Sequence, residues 1–580
     1  MTILRMQTSN SWFLARLIGL GVLTIGTFSF DVSAQEEPSV AMATSPEALI
    51  DTVTDSAFLT PDEYQEAVRA AEEAFTFPLD LQPLPQLLDE RTDPRAAITA
   101  KQIEGFAGHL VSIATKSRED GEILWGRIEG TQYERDAHDW IAATLKEFGL
   151  EDVQHDRFPP YAKVWFPTVN RLEITSAPGF EAGATHEFTD AVTPFPSAVT
   201  PPGGIEREVI YIGDGTAAEL AGRDLSDKIV LVRGRAESSA LYSSVRVAYS
   251  RIATGKYGMP AAIIVWWAVP GVRQVAGRVG APGGGDELGE LLPWISIGDD
   301  DGFYLRKLLD RATPSDPVRV RIMVEGRNKS PEELETGNVY AFLPGISGKY
   351  ILIHTHVDGY FYGLHDNGAS VAAHMAIARH YASKPLEERP HGFIFLFQGG
   401  HERTGVGGTR DFVKKHAELL RDDLLMATRL EHFGFVQQLE EGPLKGKTNA
   451  PTPLFLTNNN RSPVLIELFK DAATAYGIVH AERGVSFMPT DELAFYPPFN
   501  DLGNPVFAGW VQTGKFYHST ADVDLGGISF KEMERIARAH AYIFDRLGPL
   551  TLADLRKDET PVKDSNVYNS AMFKLFLGNF

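Results

Sequence analysis

The chain has 580 residues, with 77 acidic against 55 basic side chains, a formal net charge of -22 and no cysteine. The negative charge argues against a nucleic-acid-binding protein, because phosphates would be repelled and no basic patch with interleaved aromatic residues occurs. The absence of cysteine excludes disulfides and thiolate metal ligands, so histidine and carboxylates would supply any metal coordination. The length predicts two to four domains.

Residues 1–34 have the pattern of a signal peptide. Arg5 and Arg16 precede an apolar run over residues 17–30, and small residues around Ser33 and Ala34 form a cleavage site. The run of 14 apolar residues is short for a membrane span, which needs about 20, although an uncleaved anchor is the alternative. We expect cleavage after Ala34 and a secreted or periplasmic protein without a stable membrane anchor.

The next part of the chain is predicted to be helical. Residues 35–100 are rich in Ala, Glu and Pro and are predicted to form an N-terminal helical extension with a helix over residues 61–75. Residues 101–170 contain an amphipathic pattern at 103–115 and a second one at 133–148, so we expect two helices there. This segment is predicted to be the first part of the main domain.

Residues 171–333 have a different sequence pattern, with short runs of β-forming residues that end in glycine or turns. These runs lie at residues 208–213, 227–233, 261–267 and 292–297. Short apolar runs bounded by turn residues favour strands. A separate β-rich domain is therefore predicted here, inserted between two parts of the main domain.

Residues 334–550 alternate apolar strands with helical stretches, and residues 551–580 are predicted to form a C-terminal tail. The pattern predicts a parallel sheet with right-handed crossovers, hence an α/β fold with a doubly wound, mostly parallel sheet. The predicted strands are residues 350–356, 392–397, 427–431 and 504–511, and a helix is predicted over residues 371–380.

Side chains that bind metals follow the ends of these strands. They are His356, Asp366, Glu402, Glu431 and His518. In parallel sheets, sites form outside the carboxyl ends of the strands, so we expect the five side chains to converge. Two imidazoles and three carboxylates suit a pair of divalent metals bridged by one carboxylate. The sequence predicts two divalent metal ions, with zinc as the metal.

These motifs resemble the M28-type zinc peptidases that carry an inserted protease-associated (PA) domain, over residues 100–550. By this resemblance, residues 171–333 would be the PA domain, either roofing the active site or acting as a spacer, and residues 334–550 the metal-binding peptidase domain. The matching stretches are His356-Val-Asp358, Gly363-Leu-His-Asp366-Asn367, His401-Glu402, Glu431-His-Phe-Gly434 and Phe516-Tyr-His518-Ser.

The resemblance implies a role for each residue. One metal would be held by His356 and Glu431, the other by Glu402 and His518, and Asp366 would bridge them. Asp358 would orient the imidazole of His356. Tyr517 would stabilise the tetrahedral intermediate.

Two positions depart from the family pattern. Glu431 stands where the family has Asp, and the longer carboxylate still reaches a metal. His401 stands where the family has the general-base Glu, and a neutral imidazole is able to accept a proton near neutral pH. The alternative is a catalytically impaired binding protein that has kept the fold. A cyclising transferase is a further rival, which the inserted domain speaks against.

The expected function is that of a secreted metal-dependent exopeptidase, which uses a metal-bridged hydroxide to hydrolyse peptides or N-acyl amino acids. Residues 490–495 resemble a stretch beside the family's site, so Asp491 or Glu492 would contact a substrate amine. That contact favours an aminopeptidase, with a carboxypeptidase left open. Among the other histidines, His354 is predicted to support the site and His432 to pack in the interior.

Overall fold

The computed structural model describes residues 86–235, 243–268, 274–276, 292–403, 407–441, 444–482, 494–495, 500–512, 516, 518–523 and 528–560. All of them belong to one unit, Ser56–Phe580. The predicted signal peptide, the helix at 61–75 and the tail after residue 560 lie outside the described residues. So do three predicted site residues, Tyr517, Asp491 and Glu492.

The helices begin at polar caps. The side chain of Thr99 accepts a hydrogen bond from the backbone N–H of Gln102 at the start of α1, and Ser529 does the same for Glu532 at the start of α10. The helices are α1 Ala100–Glu119, α2 Gln132–Glu147, α3 Ala217–Leu220, α4 Ser243–Ala253, α5 Asp299–Arg311, α6 Ala369–Ala382, α7 Gly407–Lys415, α8 Ala417–Asp423, α9 Pro463–Tyr476, α10 Phe530–Leu547 and α11 Leu552–Leu555.

A five-stranded sheet forms the centre of the main domain, in the order β14-β11-β13-β10-β2. Strand β11 pairs in parallel with β13 and with β14, whereas β10 runs antiparallel to β13 and to β2. Its strands are β2 Asp152–Phe158, β10 Thr336–Leu343, β11 Tyr350–His356, β13 Gly392–Gln398 and β14 Leu424–Arg429.

Smaller strands extend this domain. A parallel bridge between Ala427 and Phe507 joins β14 to the segment before β19. Strand β19 belongs to a three-stranded sheet of order β18-β17-β19. The smaller strands are β1 Gly126–Arg127, β12 Gly359–Tyr360, β15 Val436–Glu441, β16 Leu444–Pro451, β17 Leu454–Asn458, β18 His480–Glu482 and β19 Ala508–Val511.

Alternate residues of the central strands pack into two different hydrophobic cores. Ile351 and Ile353 face the core that includes α1, α6 and α10, whereas Leu352 faces the core that includes α7. Successive side chains of a strand point to opposite faces of the sheet, so this alternation shows that helices pack on both of its sides. The predicted α/β fold is confirmed, with parallel strands at its centre and antiparallel strands toward one edge.

The segment between β2 and β10 forms its own seven-stranded sheet, in the order β4-β3-β9-β5-β6-β7-β8. Strands β5 to β8 are parallel neighbours, and β9 pairs antiparallel with both β3 and β5. The identity of this sheet as a PA domain stays a prediction. Its strands are β3 Val164–Ser176, β4 His186–Phe188, β5 Ile205–Tyr211, β6 Ile229–Arg235, β7 Ala262–Ala268, β8 Trp294–Ile297 and β9 Arg319–Lys329.

One hydrophobic core joins this second sheet to the loops of the main domain. Val265 and Trp267 of β7 pack in the same buried cluster as Tyr360, Phe361 and Phe516, which lie near the strand ends of the main domain.

No helix among the described residues is long and apolar enough to cross a bilayer.

Burial raises the pKa of Glu532, in the first turn of α10, to about 7. The folded protein therefore holds a proton on this carboxyl over the range from about 4.5 to about 7, where the unfolded chain releases it. Stability falls as the pH rises through that range, because the folded state must then carry a buried charge.

We expect Glu532→Gln to remove this cost. The variant should exceed the wild type in unfolding free energy by about 1 kcal/mol at pH 5 and roughly 3 kcal/mol at pH 8, measured by denaturant titration. Glu104→Gln, at an exposed position of α1, serves as the matched control. An equal advantage at both pH values would contradict the buried-carboxyl explanation.

Candidate metal centre

Five potential ligands meet at the carboxyl ends of the parallel strands of the central sheet. His356 ends β11, Glu402 follows β13, and Glu431 follows β14. Asp366 lies in the short turn Leu364–Gly368, and His518 in the loop after β19. All five are buried. Since β11, β13 and β14 are parallel, their carboxyl ends lie together and bring His356, Glu402 and Glu431 near one another.

The carboxylate of Asp366 lies between two sets of ligands. Its Oδ1 is 3.1 Å from Nε2 of His356 and 3.0 Å from Nε2 of His432. Its Oδ2 is 2.9 Å from Nε2 of His518, which in turn lies 2.8 Å from Oε2 of Glu402. Each oxygen of this one carboxylate therefore faces a different group of donors, as a bridging ligand must.

The donor set suits divalent ions. Ligand atoms lie within 4.8 Å of one another in the group Asp366, Glu402 and His518 and in the group His356, Asp366 and His432. Tetrahedral zinc with bonds of about 2.0–2.1 Å would separate neighbouring ligand atoms by about 3.3 Å, close to the distances found here. Nitrogen and carboxylate oxygen are also the donors that zinc prefers. Both groups therefore fit a metal ion.

Asp358 fixes the position of neighbouring groups. Its Oδ2 accepts hydrogen bonds from the backbone N–H groups of His401 and Glu402, at 3.1 and 2.8 Å. Its Oδ1 lies 3.6 Å from Nδ1 of His356, whose Nδ1 is also 3.1 Å from the Asp358 carbonyl oxygen. A single buried carboxylate thus connects β11 to the loop that follows β13.

His401 lies against the potential ligands. Its ring stacks on that of His356, with centroids 4.1 Å apart and planes inclined by 19°. Together with Glu431, the two imidazoles form a third group whose ligand atoms lie within 4.8 Å of one another. His401 is half-buried, whereas His356 is fully buried. The imidazole therefore lies where it is able to reach both the site and solvent.

A buried arginine supports the segment that carries Asp358 and Asp366. The guanidinium of Arg127 donates to the carbonyl oxygens of Val357 and Gly363, each at 2.8 Å, and to that of Tyr362 at 3.0 Å. Burial lowers its pKa to about 10, a value at which it still carries its charge at neutral pH. The planar fork of donors therefore holds the loop between β11 and the Leu364–Gly368 turn.

Asp522 holds the backbone of Asp366 from the other side. It accepts hydrogen bonds from the backbone N–H groups of His365 and Asp366, at 2.8 and 3.2 Å. Burial and the nearby charge of Asp366 raise its pKa well above the ordinary range. Glu134 of α2 acts similarly on the loop before His401, because it accepts from the backbone N–H of Gly400 at 3.1 Å.

Burial and neighbouring charges shift the ligand carboxylates in opposite directions. Burial, and then repulsion from Asp366, raises the pKa of Glu402. Burial also disfavours the ionised form of Asp366, but the imidazoles of His432, His356 and His518 outweigh it and hold the pKa of Asp366 well below its ordinary range. The surrounding imidazoles thus keep the carboxylate of Asp366 ionised.

The seven-stranded sheet contributes to the environment of His518. Its segment 274–276, between β7 and β8, donates a hydrogen bond from the backbone N–H of Ala276 to the carbonyl oxygen of His518, at 2.8 Å. Ser519 pairs with Val275 in an isolated bridge. The second sheet therefore lies directly beside the candidate metal centre.

The structure brings His356, Asp358, Asp366, His401, Glu402, Glu431 and His518 together, and their chemical roles stay predictions. His354 packs between Phe495 and Phe507, with ring centroids 5.7 and 5.8 Å away. The sequence reasoning missed Arg127, Arg429 and Asp522 as supporting residues, and it predicted His432 only as a packing residue.

Residues 338–543 match the model of Peptidase family M28. Among solved structures, the chain is similar to a peptidase M28 precursor from Shewanella amazonensis SB2B, with 18% identity and a TM-score of 0.56, covering 82% of this chain and 100% of that one. It is also similar to BSAP, a zinc aminopeptidase from Bacillus subtilis, with 17% identity and a TM-score of 0.51, covering 77% and 95%. These similarities show a shared fold. No curated protein matches the sequence.

We expect the purified protein to contain about two divalent ions, and His356→Ala or His518→Ala to lose at least one of them. Each imidazole lies within 3.1 Å of the bridging carboxylate, so its removal opens one ligand group. Elemental analysis of the purified variants measures the metal content. His109→Ala, an exposed position on α1, is the control. Full metal content in both site variants would refute the assignment.

Proposed function

We propose that the chain is a metallopeptidase of family M28, whose model matches residues 338–543, and that it is an exopeptidase acting on peptides or N-acyl amino acids. The observation that carries the proposal is the Asp366 carboxylate, whose two oxygens face two groups of metal-binding side chains. The sequence pattern of residues 1–34 supports secretion or a periplasmic location.

The buried side chains that surround Asp366 would hold two divalent ions, which we propose to be zinc. When bound, such ions lower the pKa of a water molecule and polarise the carbonyl group of the amide to be cleaved. The protein's own part is to fix the donor atoms: Asp358 orients His356, and Asp522 holds the backbone of Asp366. Burial of these groups excludes bulk water and strengthens their electrostatic effect on the substrate.

We assign the proton transfer to His401. The backbone of this residue is fixed by Asp358, and its ring is fixed by stacking on His356. A ring nitrogen would accept the proton of the attacking water and pass it to the nitrogen of the leaving amine. An imidazole has the proton affinity for this task near neutral pH.

Three further residues complete the proposed mechanism. Tyr517 follows Phe516, which packs in the core shared by the two sheets, and precedes His518. We propose that its phenol donates a hydrogen bond to the developing oxyanion. Asp491 or Glu492 would bind the amino group of the substrate, which favours an aminopeptidase.

The second sheet would restrict cleavage to one end of a peptide substrate. Arg403, next to Glu402, donates to the carbonyl oxygen of Trp165 in β3 at 2.7 Å, and its guanidinium lies 5.0 Å from the ring of Phe195. These contacts support a position of the second sheet beside the centre. We propose that this sheet is a PA domain and that its residues next to Arg403 block the extension of the substrate in one direction.

A second candidate is a metal-binding protein with impaired catalysis. It is favoured by the position of His401, because this imidazole lies within 4.8 Å of potential ligand atoms of His356 and Glu431. A histidine held by a metal ion would have no lone pair left to accept a proton. The two candidates therefore differ in what His401 does.

Replacement of His401 distinguishes them. If His401 is the general base, His401→Ala should lower kcat by about a hundredfold or more while both metals stay bound, since general-base catalysis contributes about 10²–10⁴. His401→Glu restores the family's residue and should keep or raise activity. Hydrolysis of aminoacyl and C-terminal fluorogenic substrates gives kcat, and elemental analysis gives the metal content.

The same variants define the opposite outcomes. An impaired binding protein would show no hydrolysis in the wild type with any metal, and activity only in His401→Glu. Wild-type hydrolysis with the same kcat in His401→Ala would remove the general-base role from this residue. His109→Ala serves as the control for the loss of an imidazole outside the centre.

A further inference from the structure

His432 lies closer to the bridging carboxylate than its expected packing role requires. Its Nε2 is 3.0 Å from Oδ1 of Asp366, the same oxygen that lies 3.1 Å from Nε2 of His356. The two imidazoles thus approach one carboxylate oxygen, and the ligand atoms of all three residues lie within 4.8 Å of one another. This is the donor arrangement of one half of a bridged metal pair.

Glu431, the ligand implied by the family resemblance, has a different partner. Its Oε2 lies 3.0 Å from Nε of Arg429, and both side chains are buried, with 4% and 1% of their surface exposed. The guanidinium neutralises this carboxylate and competes with a metal for its oxygens. Glu431 forms a potential ligand group with His356 and His401, but that group does not include the bridging Asp366.

The backbone of His432 is held in an uncommon conformation beside the centre. His432 has φ = 57°, in the left-handed region that residues with a side chain rarely adopt, and His518 has φ = 56°. Asn367 holds the same segment, because its Oδ1 accepts from the backbone N–H of His432 at 3.2 Å and its Nδ2 donates to the carbonyl oxygen of Leu430 at 3.3 Å. The residue next to Asp366 thus positions His432.

Buried aromatic rings support the imidazole of His432 from behind. The ring of His365 lies 4.8 Å from that of His432 and 3.8 Å from that of Phe435. His365 is fully buried, whereas 15% of the His432 side chain is exposed. The packing therefore leaves His432 directed toward Asp366, with its ring orientation fixed.

We propose that His432, rather than Glu431, is the third protein ligand of the metal ion held by His356 and Asp366. The inference rests on the proposed two-metal centre. The other ion keeps Asp366, Glu402 and His518 as its ligands. Glu431 then acts as the buried partner of Arg429.

The test compares metal binding in two variants of the full-length protein. His432→Ala removes the proposed ligand, whereas Glu431→Gln removes the carboxylate charge and keeps a hydrogen-bond acceptor for Arg429. We expect the metal content of His432→Ala to fall from about two ions to about one, and that of Glu431→Gln to stay at about two. Zinc affinity of the depleted position in His432→Ala should fall about tenfold or more in a competition titration with a chelating dye.

X-ray absorption at the zinc edge provides a readout that needs no activity. If His432 binds a metal ion, the average number of imidazoles per zinc in the wild type should be higher than His356 and His518 alone would provide. Glu431→Gln should keep the wild-type spectrum. His109→Ala is the matched control, and it should change neither the metal content nor the spectrum.

The outcomes separate this inference from the proposed function. Retention of both ions by His432→Ala, or loss of one by Glu431→Gln, would overturn the ligand assignment while the metallopeptidase proposal stands. A wild type with no bound metal would defeat both. If His432→Ala fails to fold, with loss of both ions and of the near-UV circular dichroism, Glu431→Gln still decides, because the loss of one ion by that variant would overturn the assignment.

Discussion

The carboxylate of Asp366 is the element on which the rest of the centre depends. It is buried, and its oxygens lie about one hydrogen-bond length from three imidazoles. A one-carbon side chain has little freedom to adjust, so the backbone must be held with high precision. Asp522 fixes its N–H, and Arg127 fixes the carbonyl groups of the preceding loop. The precision of the metal site is thus a property of the Leu364–Gly368 turn and its buried anchors.

Acidic side chains are concentrated around this turn. Five of them are buried there, and the ionisation of buried carboxyl groups is costly unless cations balance the charge. Arg127 and Arg429 are the fully buried arginines of the described residues, and each serves this region. Arg429 pairs with one carboxylate, whereas Arg127 acts at longer range and donates only to carbonyl oxygens. The remaining charge favours divalent ions at Asp366. The buried carboxylates are Asp358, Asp366, Glu402, Glu431 and Asp522.

The predictable parts of the site are those that follow a strand. His356, Glu402 and Glu431 come at or just after the ends of apolar runs, and parallel strands bring such positions together. The apolar pattern of each strand was therefore sufficient to predict that these residues lie near one another. His432 was missed because its orientation depends on a left-handed backbone and on Asn367, 65 residues away in the sequence. Arg127 was missed because its acceptors are backbone carbonyl groups, which every residue has and which the sequence therefore does not reveal. Tertiary contacts, rather than local propensity, determine these positions.

The second sheet contributes to the centre through backbone contacts and packing. The N–H of Ala276 binds the carbonyl oxygen of His518, and Tyr360 packs its ring edge-on to the His518 imidazole, 4.8 Å away, while belonging to the core shared with β7. Since His518 has a left-handed backbone, which costs about 1–3 kcal/mol, it needs such support from outside its own loop. Trp165 and Phe195, from the same segment of the chain as the second sheet, contact Arg403. The candidate metal centre therefore depends on one interface between the two sheets.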